Sequence, residues 1–190
     1  MANHRQNNSK TIIVDSRLSF AEAICGSTAP GAIIEELCLL PVRHKSFDGR
    51  LHQGQLVVHR SLREDLAAIF AALRASCFPL AKVVPIVHYG WLDEASMADN
   101  NTSAFNYRLV AGTTRLSCHA TGQAIDINPY QNPVIYGDGG SLPPGARYDP
   151  PAPGTLTPDS LIMQEFLSRR WRWGGDFSDL KDYHHFEKLP

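Results

Sequence analysis

The chain has 190 residues, 43% of them hydrophobic, which suits one globular domain with a sizeable core. Its formal net charge of −1 and pI near 6.7 exclude a nucleic-acid binder that works through a basic surface. No apolar run is long enough to span a membrane. The polar start from Met1 to Lys10 is not a secretory signal peptide. The protein is therefore expected to stay inside, to leave by another route, or to carry a leader that this numbering omits. The cysteines Cys25, Cys38, Cys77 and Cys118 are scattered without a Cys-x-x-Cys pair, which argues against a thiolate zinc site. They read as buried thiols; a disulfide stays open if the protein is exported.

In chain order, residues 1–10 read as a flexible tail and 11–190 as a single domain. Thr11 to Val14 is a short strand. Ser19 and Glu22 predict a capping box and a short helix through Ile24, ended at Gly26. Ile33 to Val42 reads as a helical turn and then a strand from Cys38. Asp48-Gly49 predicts a two-residue hairpin turn, with Gln55 to Val58 continuing as a strand. His52 and His59 on this hairpin read as surface or hydrogen-bonded residues, since a metal site usually announces itself as a cluster. Ser61 to Cys77 is the clearest helix. Ser61 and Glu64 suggest a capping box, and Leu62, Leu66, Ile69, Phe70 and Leu73 form one apolar face. Val83 to Tyr89 reads as a strand, Trp91 to Asn101 as irregular, and Ser103 to Val110 as strand-like.

Residues 129–158 are dense in Pro and Gly without periodicity. They read as a surface loop near a site, or equally as a plain excursion. Thr157-Pro158-Asp159 starts a second helix with Leu161, Ile162, Phe166 and Leu167 inward. The sequence from Trp171 to Phe177 is an aromatic turn. Few helices, short strands and no alternation of types predict an α+β fold.

Two stretches carry chemistry. From Arg115 to Asn128 the chain sets His119 and Asp126 on either side of Gly122. A carboxylate among Ala124, Ile125 and Ile127 is costly unless paired, and a metal ion is one partner. Strand alternation over Gln123 to Asn128 puts Asp126 in a cleft while Ile125 and Ile127 face the core. Gly122 permits the turn that returns His119 beside it. The C-terminal stretch Asp182-Tyr183-His184-His185-Phe186-Glu187 offers a third ligand, His184 or His185, which completes a set of three nitrogen or oxygen donors for catalytic zinc. Asp182 is placed to act as a base if the segment turns between it and His185. Arg108 is the candidate cation for a developing oxyanion. Against this stands a plain reading: a hydrogen-bonded buried Asp126 and surface histidines.

Ser117-x-His119-x-x-Gly122-x-Ala124-x-Asp126, followed by Asp182-x-x-His185, resembles the zinc peptidases that trim peptidoglycan stem peptides. These are the VanY-type D-Ala-D-Ala carboxypeptidases and the related phage L-alanyl-D-glutamate endopeptidases. The likeness extends through Phe47-Asp48-Gly49-Arg50-x-His52-x-Gly54, Asn101 to Asn106 and Trp173 to Asp176, over about residues 37–188. The resemblance implies the α+β fold shared with the hedgehog signalling domain, a small antiparallel sheet with flanking helices, and one zinc per chain. It implies His119, Asp126 and His185 as ligands, Asp182 as general base where many relatives carry Glu, and Ser117 in contact with substrate. Arg108 is less well matched, since the arginine lies farther upstream in many relatives. His184 falls at a variable position and is left out of the ligands. The expected partner is the stem peptide of the bacterial cell wall, with no nucleic acid and no membrane span. A monomer acting in the periplasm or outside the cell is expected; cytoplasmic or phage-delivered action stays open. The rival readings are a peptide-binding module of the same fold and a zinc hydrolase of an unrelated amide.

Overall fold

The computed structural model describes residues 11–188, so the tail expected over 1–10 lies outside the described residues. Strand β1 (Ile13–Val14) is followed by helices α1 (Phe20–Ala23) and α2 (Gly31–Glu35), strands β2 (Leu37–Lys45) and β3 (Leu51–His59), and helix α3 (Arg63–Ala75). Then come β4 (Lys82–Val83), α4 (Asp93–Ala98), β5 (Asn101–Thr102), β6 (Ala124–Asp126), β7 (Val134–Ile135) and β8 (Ser141–Leu142). Helix α5 (Leu161–Ser168) and strands β9 (Arg172–Trp173), β10 (Lys181–Asp182) and β11 (His185–Glu187) complete the order. The architecture is mixed α+β. The single antiparallel sheet expected is instead several small sheets, ordered β1-β3-β2, β4-β5, β6-β11-β9 and β10-β7-β8. Two pairs are parallel, β1 with β3 and β4 with β5. A parallel pair needs a long crossover, and α4 lies in the one between β4 and β5.

The hairpin of β2 and β3 is the backbone of the fold. Leu40, Val42, Leu56 and Val58 are buried against α3 and α5. Its turn is longer than the two residues expected. Pairing ends at Lys45 opposite Leu51, and the Gly49 N–H donates to the Ser46 carbonyl at 2.9 Å. Phe47-Asp48 therefore form the turn's centre, and Gly49, with φ of +76°, takes the left-handed position after it.

Helix α3 buries the predicted face, Leu66, Ile69, Phe70 and Leu73. Its start differs from the expected Ser61-Glu64 box. The His59 side chain accepts from the Ser61 N–H and caps a short 3-10 turn, Arg60–Leu62, from which α3 continues. The chain leaves β3 already turning, so His59 reaches the free amides before Ser61 can. The strand expected over Val83 to Tyr89 stops at Val83, because Pro85 has no N–H to pair and a 3-10 turn follows over Ile86–Tyr89. The stretch expected to be irregular contains α4. The strand expected over Ser103 to Val110 forms only the bridges Ser103–Asp126 and Leu109–Leu116. Its amides are divided among neighbours: Phe105 donates to Val57 and Asn106 to His119.

Residues 129–158 hold more order than their composition suggests. The Asn132 amide donates to the carbonyls of Ile127 and Gly154, and its oxygen accepts from the Leu156 N–H. Within this frame β7 pairs with both β8 and β10. Helix α5 is capped by Ser160 rather than begun at Thr157-Pro158. Starting there, it turns Ile162, Met163 and Phe166 inward and leaves Leu161 and Leu167 about half exposed, at 51% and 47%, against the expected inward face. Phe166 stacks on Phe186 of β11 with ring centroids 3.8 Å apart, tying α5 to the strand that carries the site. Each such buried aromatic is worth roughly 1.5–3 kcal/mol. All four cysteines are free; Cys25 and Cys77 are exposed and Cys38 and Cys118 half-buried, which corrects the expectation of buried thiols. Among the described residues no helix is long and apolar enough to cross a membrane.

Candidate functional site

Strands β6 and β11 pair antiparallel with His185 opposite Asp126 and Phe186 opposite Ile125. Directly opposed residues share a face, and the face alternates along each strand. Ile125 and Phe186 therefore enter the core, while Asp126 and His185 meet on the other side. His119 arrives from the 3-10 turn Cys118–Thr121. Ser117 caps that turn, its hydroxyl accepting from the His119 N–H at 3.2 Å. Gly122 closes it at φ +67°, where an added Cβ would sit 2.6 Å from the His59 nitrogen.

The hydrogen bonds around the cluster fix which atoms carry protons. His119 Nδ1 lies 2.5 Å from the Ala104 carbonyl, which can only accept, so Nδ1 donates and the neutral ring turns a lone pair outward at Nε2. His185 Nε2 lies 3.4 Å from a Glu187 carboxylate oxygen, which leaves its lone pair at Nδ1. Those two lone pairs face each other at 3.1 Å and face Asp126 Oδ1 at 3.1 and 3.0 Å. With both rings neutral, three acceptors converge on one point, and the cluster needs a proton or another cation there. Protonating both rings would instead set two N–H groups against each other. A cation between the three atoms resolves the conflict. Zinc bonds of about 2.0–2.1 Å in tetrahedral geometry separate donors by about 3.3 Å, so the residues fit the ion with small adjustment. These three residues form one of the clusters in the described chain with metal-ligating donors within reach of one another.

The titration behaviour follows from the same contacts. Burial opposes ionisation of Asp126, but the facing His119 and His184 outweigh it and hold the carboxyl well below its usual range. Burial likewise opposes charge on His185, yet Asp126 and Glu187 push its pKa up to about 10. The metal-free cluster thus holds a proton that a bound cation would displace. Glu187 drops to about 2, chiefly through its hydrogen bond to His185. Its other oxygen meets Arg172 Nη1 at 3.1 Å, and the Cys118 thiol donates at 3.1 Å to the oxygen that faces His185.

Asp182 and His185 are brought together by a turn at Tyr183-His184, between β10 and β11. Asp182 Oδ1 sits 3.0 Å from His184 Nε2 but without the alignment of a hydrogen bond, so this buried oxygen has no hydrogen-bond partner among the described residues. His184 Nδ1 donates to the Asn132 carbonyl at 2.9 Å, which fixes the ring with Nε2 toward Asp182. Arg108 Nη2 pairs with Asp93 at 2.8 Å, and its buried Nε is unpartnered among the described residues. Ser117, His119, Asp126, Asp182, His185 and Arg108 all line one cleft of about 680 Å³. The β7–β8 segment supplies a wall of it through Val134, Tyr136 and Leu142. A separate hollow of about 510 Å³ beside Ile33, Glu36 and His59 lies away from this chemistry.

Sequence reasoning missed Glu187 and Asp93, and weighed His184 only as a ligand, not as the neighbour of Asp182. Glu187 was within reach, since on a strand it shares the face of His185 two residues earlier. His184 and Asp93 depend on the turn and on α4, which no spacing announces.

Comparisons of the chain with curated proteins and with solved structures find no match. Residues 111–188 match a family model described as D-alanyl-D-alanine carboxypeptidase. The matched segment contains His119, Asp126, Asp182 and His185; the likeness read at Phe47 to Gly54 and Asn101 to Asn106 lies outside it. The match supports a hydrolase of peptide bonds. The segment that builds the cleft is thus a match to the D-alanyl-D-alanine carboxypeptidase family, the family its motifs resemble.

Proposed function

We propose that the cleft is the active site of a zinc-dependent peptidase that hydrolyses peptidoglycan stem peptides, as a D-alanyl-D-alanine carboxypeptidase. The observation that carries this reading is the convergence of His119 Nε2, Asp126 Oδ1 and His185 Nδ1 on one buried point, which a cation can occupy in place of the proton held there. Zinc held there supplies Lewis acidity and a water of pKa about 7. Asp182 takes a proton from the attacking water at its unpartnered Oδ1. Asp182 then delivers that proton to the leaving amine, with His184 beside it. Arg108, anchored by Asp93, turns its free Nε toward a substrate oxygen that gathers negative charge. The Ser117 hydroxyl accepts from His119 and keeps its own proton to donate to substrate. Such a substrate places the work in the periplasm or outside the cell, by one zinc per chain in this cleft.

An L-alanyl-D-glutamate endopeptidase would use the same residues, and the pocket walls from β7 and β8 would decide between them. The test is product mass spectrometry on L-Ala-D-Glu-(diamino acid)-D-Ala-D-Ala. Loss of one terminal alanine, abolished by a chelator and by His119→Ala, is expected. Release of the N-terminal alanine would assign the endopeptidase, and an untouched peptide would leave a binding module or another amide as the better account.

A further inference from the structure

A second cluster of the same donor types lies on the hairpin, outside the cleft. His44 of β2 stands directly opposite His52 of β3, so both rings share a face of the sheet. Strand β1 runs parallel to β3, with Val14 opposite Gln53, and the Asp15 N–H donates to the Gln53 carbonyl. This brings Asp15 beside both rings. Its carboxylate lies 2.9 Å from His52 Nδ1 and 3.8 Å from His44 Nε2, a spread that brackets the roughly 3.3 Å expected between donors on tetrahedral zinc.

The state of His44 points to a ligand rather than to a plain ion pair, and the contacts of His52 leave a nitrogen for it. His44 is fully buried, and neither of its ring nitrogens has a hydrogen-bond partner among the described residues. A buried imidazole without partners is costly, and its Nε2 is the nitrogen nearest Asp15. His52 is also over-supplied with carboxylates: Nε2 lies 3.2 Å from Asp48 and Nδ1 faces Asp15. A neutral ring can donate to one of them only. The metal-free ring meets both by holding a second proton; with Nε2 donating to Asp48 alone, Nδ1 offers its lone pair to a cation beside Asp15.

We propose that Asp15, His44 and His52 form a second zinc site, which fastens β1 to the hairpin, with Asp48 orienting His52 from behind. The donors would be His44 Nε2, His52 Nδ1 and an Asp15 oxygen, two imidazoles and a carboxylate, a set suited to zinc and its neighbours in the first transition row. The partial exposure of Asp15 and His52 gives the ion access from solvent. The ion would staple the two-residue strand β1, which otherwise has few ladder bonds to hold it.

The test is zinc content after equilibrium dialysis of the full chain against Zn²⁺, for the wild type and for Asp15→Asn and His52→Gln. Each variant is expected to carry one zinc per chain fewer than the wild type, while cleavage of the stem peptide by each persists. The readout is that difference, so it stands whatever the occupancy of the cleft. Equal zinc in variant and wild type would overturn the proposal and leave a His52–Asp15 ion pair. Should either variant fail to fold, Co²⁺ titrated into the wild-type chain serves instead. Paramagnetic broadening of the Val14, Asp15 and Gln53 amides is expected, and amides that stay sharp through two equivalents would overturn the assignment.

Discussion

His119, Asp126 and His185 are each ordinary residues whose neighbours force them into an extraordinary relation. The Ala104 carbonyl and the Glu187 carboxylate take up one nitrogen of each ring, and the other nitrogens face Asp126 around a single point. This makes Glu187 a positioning residue. Replacing it as Glu187→Gln should weaken zinc binding about 10- to 100-fold, the usual effect of losing a carboxylate behind a metal-bound histidine; competition with a zinc-chelating dye measures it, and unchanged affinity would remove Glu187 from that role. Asp182 differs in kind, since it lines the cleft and its unpartnered oxygen lies beside His184 rather than among the three converging donors. Asp182→Asn should retain the zinc and lower kcat by about 10²- to 10⁴-fold, the range for a general base. A variant of full activity would pass the proton to some other group. His119, Asp126, His185 and Asp182 could be singled out in the sequence by the motif they form together, whereas the parts of Glu187 behind His185 and of His184 beside Asp182 become visible only when the strand and the turn are in place.

At the scale of elements, the site depends on a three-part junction: the turn of His119, strand β6 and strand β11. Alternation along β6 and β11 was readable, because Ile125 and Phe186 flank polar residues and a strand has one buried face. The helix α3 was readable from its apolar stripe. Its first turn was not, because His59 rather than Ser61 caps it, and capping depends on how the preceding strand enters. Helix α5 shows the same limit: choosing Ser160 over Thr157 as cap rotates the helix and exchanges Leu161 for Met163 in the core. Gly122 is the point where the turn and the hairpin touch. Gly122→Ala places a Cβ 2.6 Å from the His59 nitrogen in a left-handed backbone position. That conformation alone costs about 1–2 kcal/mol, and the clash adds to it. The variant should melt several degrees lower by calorimetry; an unchanged Tm would mean that the turn relaxes freely.

Across the whole molecule, the Pro- and Gly-rich stretch illustrates what composition cannot convey. Its order comes from long-range bonds of Asn128 and Asn132 to Pro79, Gly154 and Leu156, and these join residues far apart in sequence. They set β7 beside β10 and so wall the cleft where Asp182 emerges. Because the cleft's donors come from separate parts of the chain, a bound ion cross-links the fold. Zinc at 100 times its Kd should raise stability by about 2.7 kcal/mol per site by mass action, read as a higher Tm that a chelator reverses. A melting curve indifferent to zinc would argue that the cluster does not bind it. The most direct measurement is an anomalous difference map at the zinc edge from crystals grown with Zn²⁺. The account predicts a peak about 2.0–2.1 Å from His119 Nε2, Asp126 Oδ1 and His185 Nδ1. A cleft without a peak, or an ion held through other atoms, would contradict it.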